Sequence, residues 1–141
     1  MKRSHLIVLP LLLAPLASCV AVAAAAAVGA VGLVQFDRNR AHRDFDVDFE
    51  TAWTAAVEGA AEMGYLEPVV KEHTPTEGEF EGGEDLWVRV EEHPEGFICV
   101  AVRFGTFDTD DHRRRSGLYL NIVARRLGED PYETGVFEPT N

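Results

Sequence analysis

The chain has 141 residues, 46% of them apolar, and a formal net charge of −11. That length fits one domain. The acidic balance argues against nucleic acid, whose binding modules are usually basic, and against tight adhesion to anionic lipid headgroups.

Lys2 and Arg3 precede a stretch, residues 6–34, without a single charge. A charged start, an apolar middle and the small-residue run Leu16-Ala17-Ser18 before Cys19 make a bacterial export signal. The run resembles the lipobox, at which lipoprotein signal peptides are cut and the new N-terminal cysteine is acylated. It implies a signal peptide over 1–18, recognition through Leu16, Ala17 and Ser18, and lipidation of Cys19. Val20 stands where an Asp would retain a Gram-negative lipoprotein in the inner membrane. By that resemblance the expected place is the outer membrane, facing the periplasm. The alternative is an uncleaved N-terminal membrane helix. As a helix, Val20 to Val34 would reach roughly 22 Å, short of the roughly 30 Å hydrocarbon thickness. With Cys19 acylated, Cys99, the second of two cysteines, has no partner in the chain. Its apolar neighbours Phe97, Ile98 and Val100 mark it as a buried small hydrophobe.

Residues 19–42 read as the lipidated cysteine and an Ala/Gly-rich tether, with Asp37-Arg38-Asn39-Arg40 a turn or a strand start. An α+β domain is expected over 43–127. Phe45, Val47 and Phe49 alternate with acids, the period of a half-buried strand. Asp48 then caps a helix to about Met63, with Phe49, Trp53, Ala56, Val57 and Ala60 as its apolar stripe and Gly64 as its stop. Leu66 to Glu72 is a second strand, and Pro68 favours a sheet edge. Thr74 to Gly83 reads as a turn-rich acidic loop. Leu86 to Glu91 and Phe97 to Phe107 are strands joined by the turn His93-Pro94-Glu95-Gly96. Asp108 or Thr109 opens a second helix, acidic at its start and basic at Arg125 and Arg126, as the helix dipole favours. Its inward stripe is Ser116, Tyr119, Leu120, Val123 and Leu127, and Gly128 ends it. The acidic tail over 128–141 is expected to be disordered. The order β-α-β-β-β-α closes most simply as a two-layer sandwich, an antiparallel sheet covered on one face by both helices.

Few constellations carry chemistry. Asp108, Asp110 and Asp111 lack the spaced ligands of a calcium loop and read as a helix start. His42, His73, His93 and His112 show no metal-ligand spacing, and no HExxH or CxxC occurs. Ser116 has no evident base partner. No catalytic residue, metal site or cofactor is therefore expected. A contact surface is the better expectation. Trp87, Arg89 and Arg103 alternate onto the outer face of the sheet. Arg113-Arg114-Arg115 gives residues 108–127 a net charge of +2, against −8 for residues 66–99.

Three stretches together resemble a family of small bacterial envelope lipoproteins whose shared domain has no known function. They are the lipobox cysteine with its Ala/Gly run, Phe45 to Trp53, and Val102-Arg103-Phe104-Gly105-Thr106-Phe107-Asp108 followed by a helix bearing Ser116. The resemblance implies an envelope lipoprotein and no activity. The leading expectation is a non-enzymatic, membrane-tethered interaction domain with an envelope protein partner. The alternative is a periplasmic small-molecule or lipid-binding domain with a groove between helix and sheet.

Overall fold

The computed structural model describes residues 34–131. Cys19, Leu16, Ala17, Ser18 and all but the first four residues of the expected tail lie outside that range. Six strands and two helices follow in the order β1 (Gln35–Asp37), β2 (Arg40–Phe45), α1 (Phe49–Glu62), β3 (Val69–His73), β4 (Glu77–Gly82), β5 (Leu86–Glu92), β6 (Ile98–Phe104) and α2 (Asp110–Arg126). The strands form one open sheet in the order β1-β2-β6-β5-β4-β3, every neighbouring pair antiparallel. Both helices pack on the same face. The two-layer α+β class expected from the sequence is the observed one.

Alternation explains how the layers sort. Across β2, β6, β5 and β4 the register aligns Ala41 with Val102, Val102 with Val88 and Val88 with Phe80. These four are fully buried under the helices. Their sequence neighbours point the other way, into the layer no helix covers. Antiparallel sheets tolerate that arrangement because water can satisfy the second face.

The helices begin and end as their residues dictate. Asp48 Oδ1 accepts from the Thr51 backbone N–H at 2.9 Å, and Thr109 caps α2 by accepting from the His112 N–H at 3.2 Å. Gly64 and Gly128, at φ +98° and +76°, supply the left-handed residues that close the two helices. Between them, Tyr119 is fully buried and donates its hydroxyl proton to the Ala56 carbonyl at 2.8 Å. Burial pushes its phenol well above the ordinary tyrosine value.

Four expectations need correction. First, Thr74 to Gly83 is largely strand: β4 alternates Glu77, Glu79 and Glu81 outward with Gly78, Phe80 and Gly82 inward. Glycine carries no apolar signal, so only Phe80 marked the inner face. Second, the sheet begins at Gln35 rather than Arg43, because a β1–β2 hairpin turns at Arg38 and Asn39. The order is therefore β-β-α-β-β-β-β-α. Third, β2 ends at Phe45, so Val47 lies in the connection to α1. Fourth, the segment after α2 is engaged at its start. Arg43, only 3% exposed, donates from Nη2 to Glu129 Oε2 and to the Asp130 carbonyl, each at 3.0 Å.

The glycines of β4 have a packing purpose. Trp53 lies flat enough against the strand that a Cβ on Gly78 would fall within 2.6 Å of its Cε3. The indole also stacks on His73 from β3 at 4.7 Å and meets Phe80 edge-on at 5.5 Å. Gly78→Ala must displace that indole or the strand, and overpacking of this kind costs about 1–3 kcal/mol. Urea denaturation should record that loss, and an unchanged midpoint would show that the ring does not press on β4.

Candidate functional site

The uncovered face of the sheet brings together side chains from four central strands. Register places Trp87 opposite Arg103 on one side and Glu81 on the other. Arg40 and Arg103 both set their guanidinium carbons over the Trp87 ring, 5.0 and 5.4 Å from its centroid. Such contacts contribute about 0.5–1 kcal/mol each at exposed sites. Neither arginine forms an ion pair with a carboxylate among the described residues. The Arg103 Nε is buried without a hydrogen-bond partner among the described residues. A shallow depression of about 130 Å³ adjoins them, lined in part by Glu81, Trp87, Arg103 and Thr106.

One row away the chemistry reverses. Arg89 donates from Nε to Glu91 Oε2 at 3.0 Å and from Nη2 to Glu77, with Glu79 at 3.8 Å. Its charge is consumed within the face. Trp87, Arg89 and Arg103 thus share the surface expected of them, but Arg89 is not free to meet a partner. Arg40 takes its place. Arg40 was readable only by extending the alternation of Ala41, Arg43 and Phe45 back by one residue.

Arg113, Arg114 and Arg115 are elsewhere, on the first turns of α2, and each is paired. Arg113 bridges to Asp108, Arg114 Nη2 to Asp111 Oδ1 at 2.8 Å, and Arg115 Nη1 to Asp85 Oδ2 at 2.7 Å. Arg125 and Arg126 reach Glu62, and Arg126 also reaches Glu58. The basic helix is therefore neutralised by the domain's own acids and offers no free cationic patch with Trp87.

Arg115 anchors the most connected of these pairs. Its Nη2 also donates to the Tyr65 hydroxyl at 2.6 Å, and Tyr65 donates in turn to Asp85 Oδ1 at 2.8 Å. Its guanidinium carbon lies 4.3 Å from the centre of the Phe104 ring. Partial burial pushes Asp85 upward, but the hydrogen bonds from Tyr65 and Arg115 outweigh it and hold the carboxyl below its ordinary value.

Cys99 is buried as expected, on the uncovered face of β6. Desolvation first, then the negative charge of Asp44 and a hydrogen bond to it, and last the charge of Glu91, push its thiol far up. It is a poor nucleophile in this setting, since the thiolate is the reactive form. Ser116 is buried on α2.

The space between helices and sheet is filled by Tyr119, Phe45, Phe80, Phe104, Ile98 and Leu120, each with essentially no exposure. That packing disfavours the interlayer groove a small-molecule binder would use. A larger depression, about 370 Å³, lies instead on the helical side between Thr51, Thr54, Glu58 and Arg126. Among the described residues no helix is long and apolar enough to cross a membrane.

What these observations define is a two-layer α+β domain with one uncovered sheet face carrying a guanidinium–indole cluster. The chain belongs to the family described as protein of unknown function (DUF3568), whose model matches residues 4–121. The match takes in the whole sheet, α1 and most of α2. A comparison with curated proteins finds no match.

Asp48, Glu62, Asp85 and Asp108 are all held below the ordinary carboxylate values of 3.8 and 4.5. The folded state therefore binds fewer protons than the unfolded chain in that range. The stability these groups contribute is complete above about pH 5 and is lost as pH falls through the folded values. Urea midpoints should hold steady from neutrality to about pH 5 and then drop. Asp85→Asn should lower the neutral midpoint and make the acid decline shallower. An acid decline identical to that of the wild type would remove Asp85 from the balance.

Proposed function

We propose that the protein is a non-enzymatic interaction domain of the bacterial cell envelope. Lipid on Cys19 moors it, and the open sheet face meets a carboxylate-bearing segment of an envelope protein. The observation that carries this reading is the Arg40–Trp87–Arg103 cluster. Two guanidiniums over one indole, without carboxylate partners among the described residues, hold positive charge in an otherwise acidic chain. Guanidinium forks match a carboxylate in a planar, bidentate geometry. A Trp between them adds apolar area, and Trp and Arg are the residues that most often dominate interface energetics.

The mooring rests on sequence. The Leu16-Ala17-Ser18-Cys19 run, the uncharged stretch around it and Val20 support cleavage, acylation and an outer-membrane position facing the periplasm. Several acyl chains on one cysteine hold far more firmly than one, at about 0.8 kcal/mol per buried CH₂. Attachment by lipid also suits a chain whose net charge of −11 opposes anionic headgroups.

Two measurements test the two halves. Mass spectrometry of the native N-terminus should find an acylated Cys19, and Cys19→Ser should abolish processing and release the domain from membranes. An intact Met1, or a Cys19→Ser protein still processed and membrane-bound, overturns the mooring. Affinity capture from detergent-solubilised membranes should lose its partner with Arg40→Ser/Arg103→Ser and keep it with the control Arg114→Ser, circular dichroism showing both folded. Capture that survives the double substitution overturns the surface.

A further inference from the structure

Three side chains far apart in sequence meet on the uncovered face of the sheet: Asp44 from the end of β2, Cys99 from the start of β6, and His93 from the turn between β5 and β6. One donor atom from each, a carboxylate oxygen, the sulfur and an imidazole nitrogen, lies within 4.8 Å of both others. Asp44 and Cys99 are directly opposed in the β2–β6 register. The turn is closed by hydrogen bonds from the His93 N–H to the Phe97 carbonyl and from the Gly96 N–H to the His93 carbonyl, both at 2.8 Å. This fixes His93 beside the strand pair, where its ring lies 5.6 Å from that of Phe97.

Asp44 is the anomaly. It is only 8% exposed, and its Oδ1 is buried with no hydrogen-bond partner among the described residues. An unpaired carboxylate oxygen in such a place costs free energy unless something compensates it. Its buried neighbour Arg43 does not, since that guanidinium reaches Glu129 and Asp130 instead.

We propose that Asp44, His93 and Cys99 form a binding site for a divalent transition-metal ion of the zinc class. Oxygen, nitrogen and sulfur donors in this combination are the ligands such ions take. Tetrahedral zinc, with bonds of about 2.0–2.3 Å, holds its donors about 3.5 Å apart, so the three atoms need to close by about an ångström. Binding displaces the proton of the Cys99 thiol to solvent. The carboxylate and the thiolate then balance the two positive charges of the ion, and neutral His93 completes three ligands. Three protein ligands leave a fourth position for water on the uncovered side. This site does not depend on the Arg40–Trp87–Arg103 surface or on the lipid.

The test uses the full chain carrying Cys19→Ser, so that Cys99 is the one thiol, titrated with Co²⁺ and then back-titrated with Zn²⁺. One equivalent of Co²⁺ should produce a thiolate-to-cobalt charge-transfer absorption, and Zn²⁺ should abolish it by displacement. Cys99→Ser should eliminate the band. His93→Gln, a substitution at a half-buried turn position, should weaken Zn²⁺ binding at least about tenfold, as should Asp44→Asn. A titration that saturates without any sulfur band would place the metal on the glutamates of β4 and β5 and overturn the site. So would Zn²⁺ affinity unchanged in His93→Gln.

Discussion

The pairing of β5 with β6 sets everything else in the molecule. Val88 faces Val102 and Val90 faces Val100, while Trp87 faces Arg103 and Glu91 faces Cys99. Side chains in a strand alternate with a period of two, so a slip of one residue would exchange the two faces completely. The first set would then meet water and the second would be pressed under α1 and α2. Burying a Val or Phe side chain is worth about 1.5–3 kcal/mol. Placing Arg89 or Glu91 in its stead would carry a desolvation cost of several kcal/mol. The register is thus over-determined, and each surface feature inherits its position from it.

Both helices are legible in the sequence because each carries independent signals that agree. Asp48, the stripe from Phe49 to Ala60 and Gly64 describe α1 three times over. Thr109, the acidic first turn, the arginines of the last turn and Gly128 do the same for α2. The strand β4 is not legible in that way. Its inward positions are Gly78, Phe80 and Gly82, so two of three carry no hydrophobic mark, and Gly is also the commonest sign of a turn. The glycines are there because α1 presents Trp53, whose indole needs the space a Cβ would fill. That requirement belongs to the packing between elements distant in sequence, and no local window contains it. Part of the site was legible by alternation, which placed Trp87, Arg89 and Arg103 on one face. The arrival of Arg40 and the meeting of Asp44, His93 and Cys99 depend on β2 pairing with β6 across more than fifty intervening residues.

Charge follows the same division. Arg113, Arg114, Arg115, Arg125 and Arg126 make α2 basic, yet each closes on a carboxylate of its own domain. Most of these pairs are exposed, where an ion pair contributes about 0–1 kcal/mol. Their larger effect is to remove cationic charge from the helical side. The two arginines left over Trp87 gain significance by contrast, because the acids nearby are engaged otherwise, Glu77, Glu79 and Glu91 with Arg89 and Asp85 with Arg115.

The adjacent residues Arg43 and Asp44 state the remaining problem in its sharpest form. Both are buried, and they point to opposite faces of β2. Arg43 lies beneath the helical layer, and the chain beyond α2 brings it Glu129 and the Asp130 carbonyl. Removing one partner from a buried charged pair is strongly destabilising, which is why such a charge is supplied with a partner from the chain itself. Asp44 lies on the layer without helices, and no described cation reaches its Oδ1. What stands beside it instead is a thiol and an imidazole, which are ligands rather than counter-charges. The fold brings the C-terminal segment back to pair the Arg43 charge through Nη2, while its Nε and Nη1 stay without partners among the described residues. Asp44 stands beside two metal donors, and the proposed ion is the counter-charge that its carboxylate does not receive from Arg43.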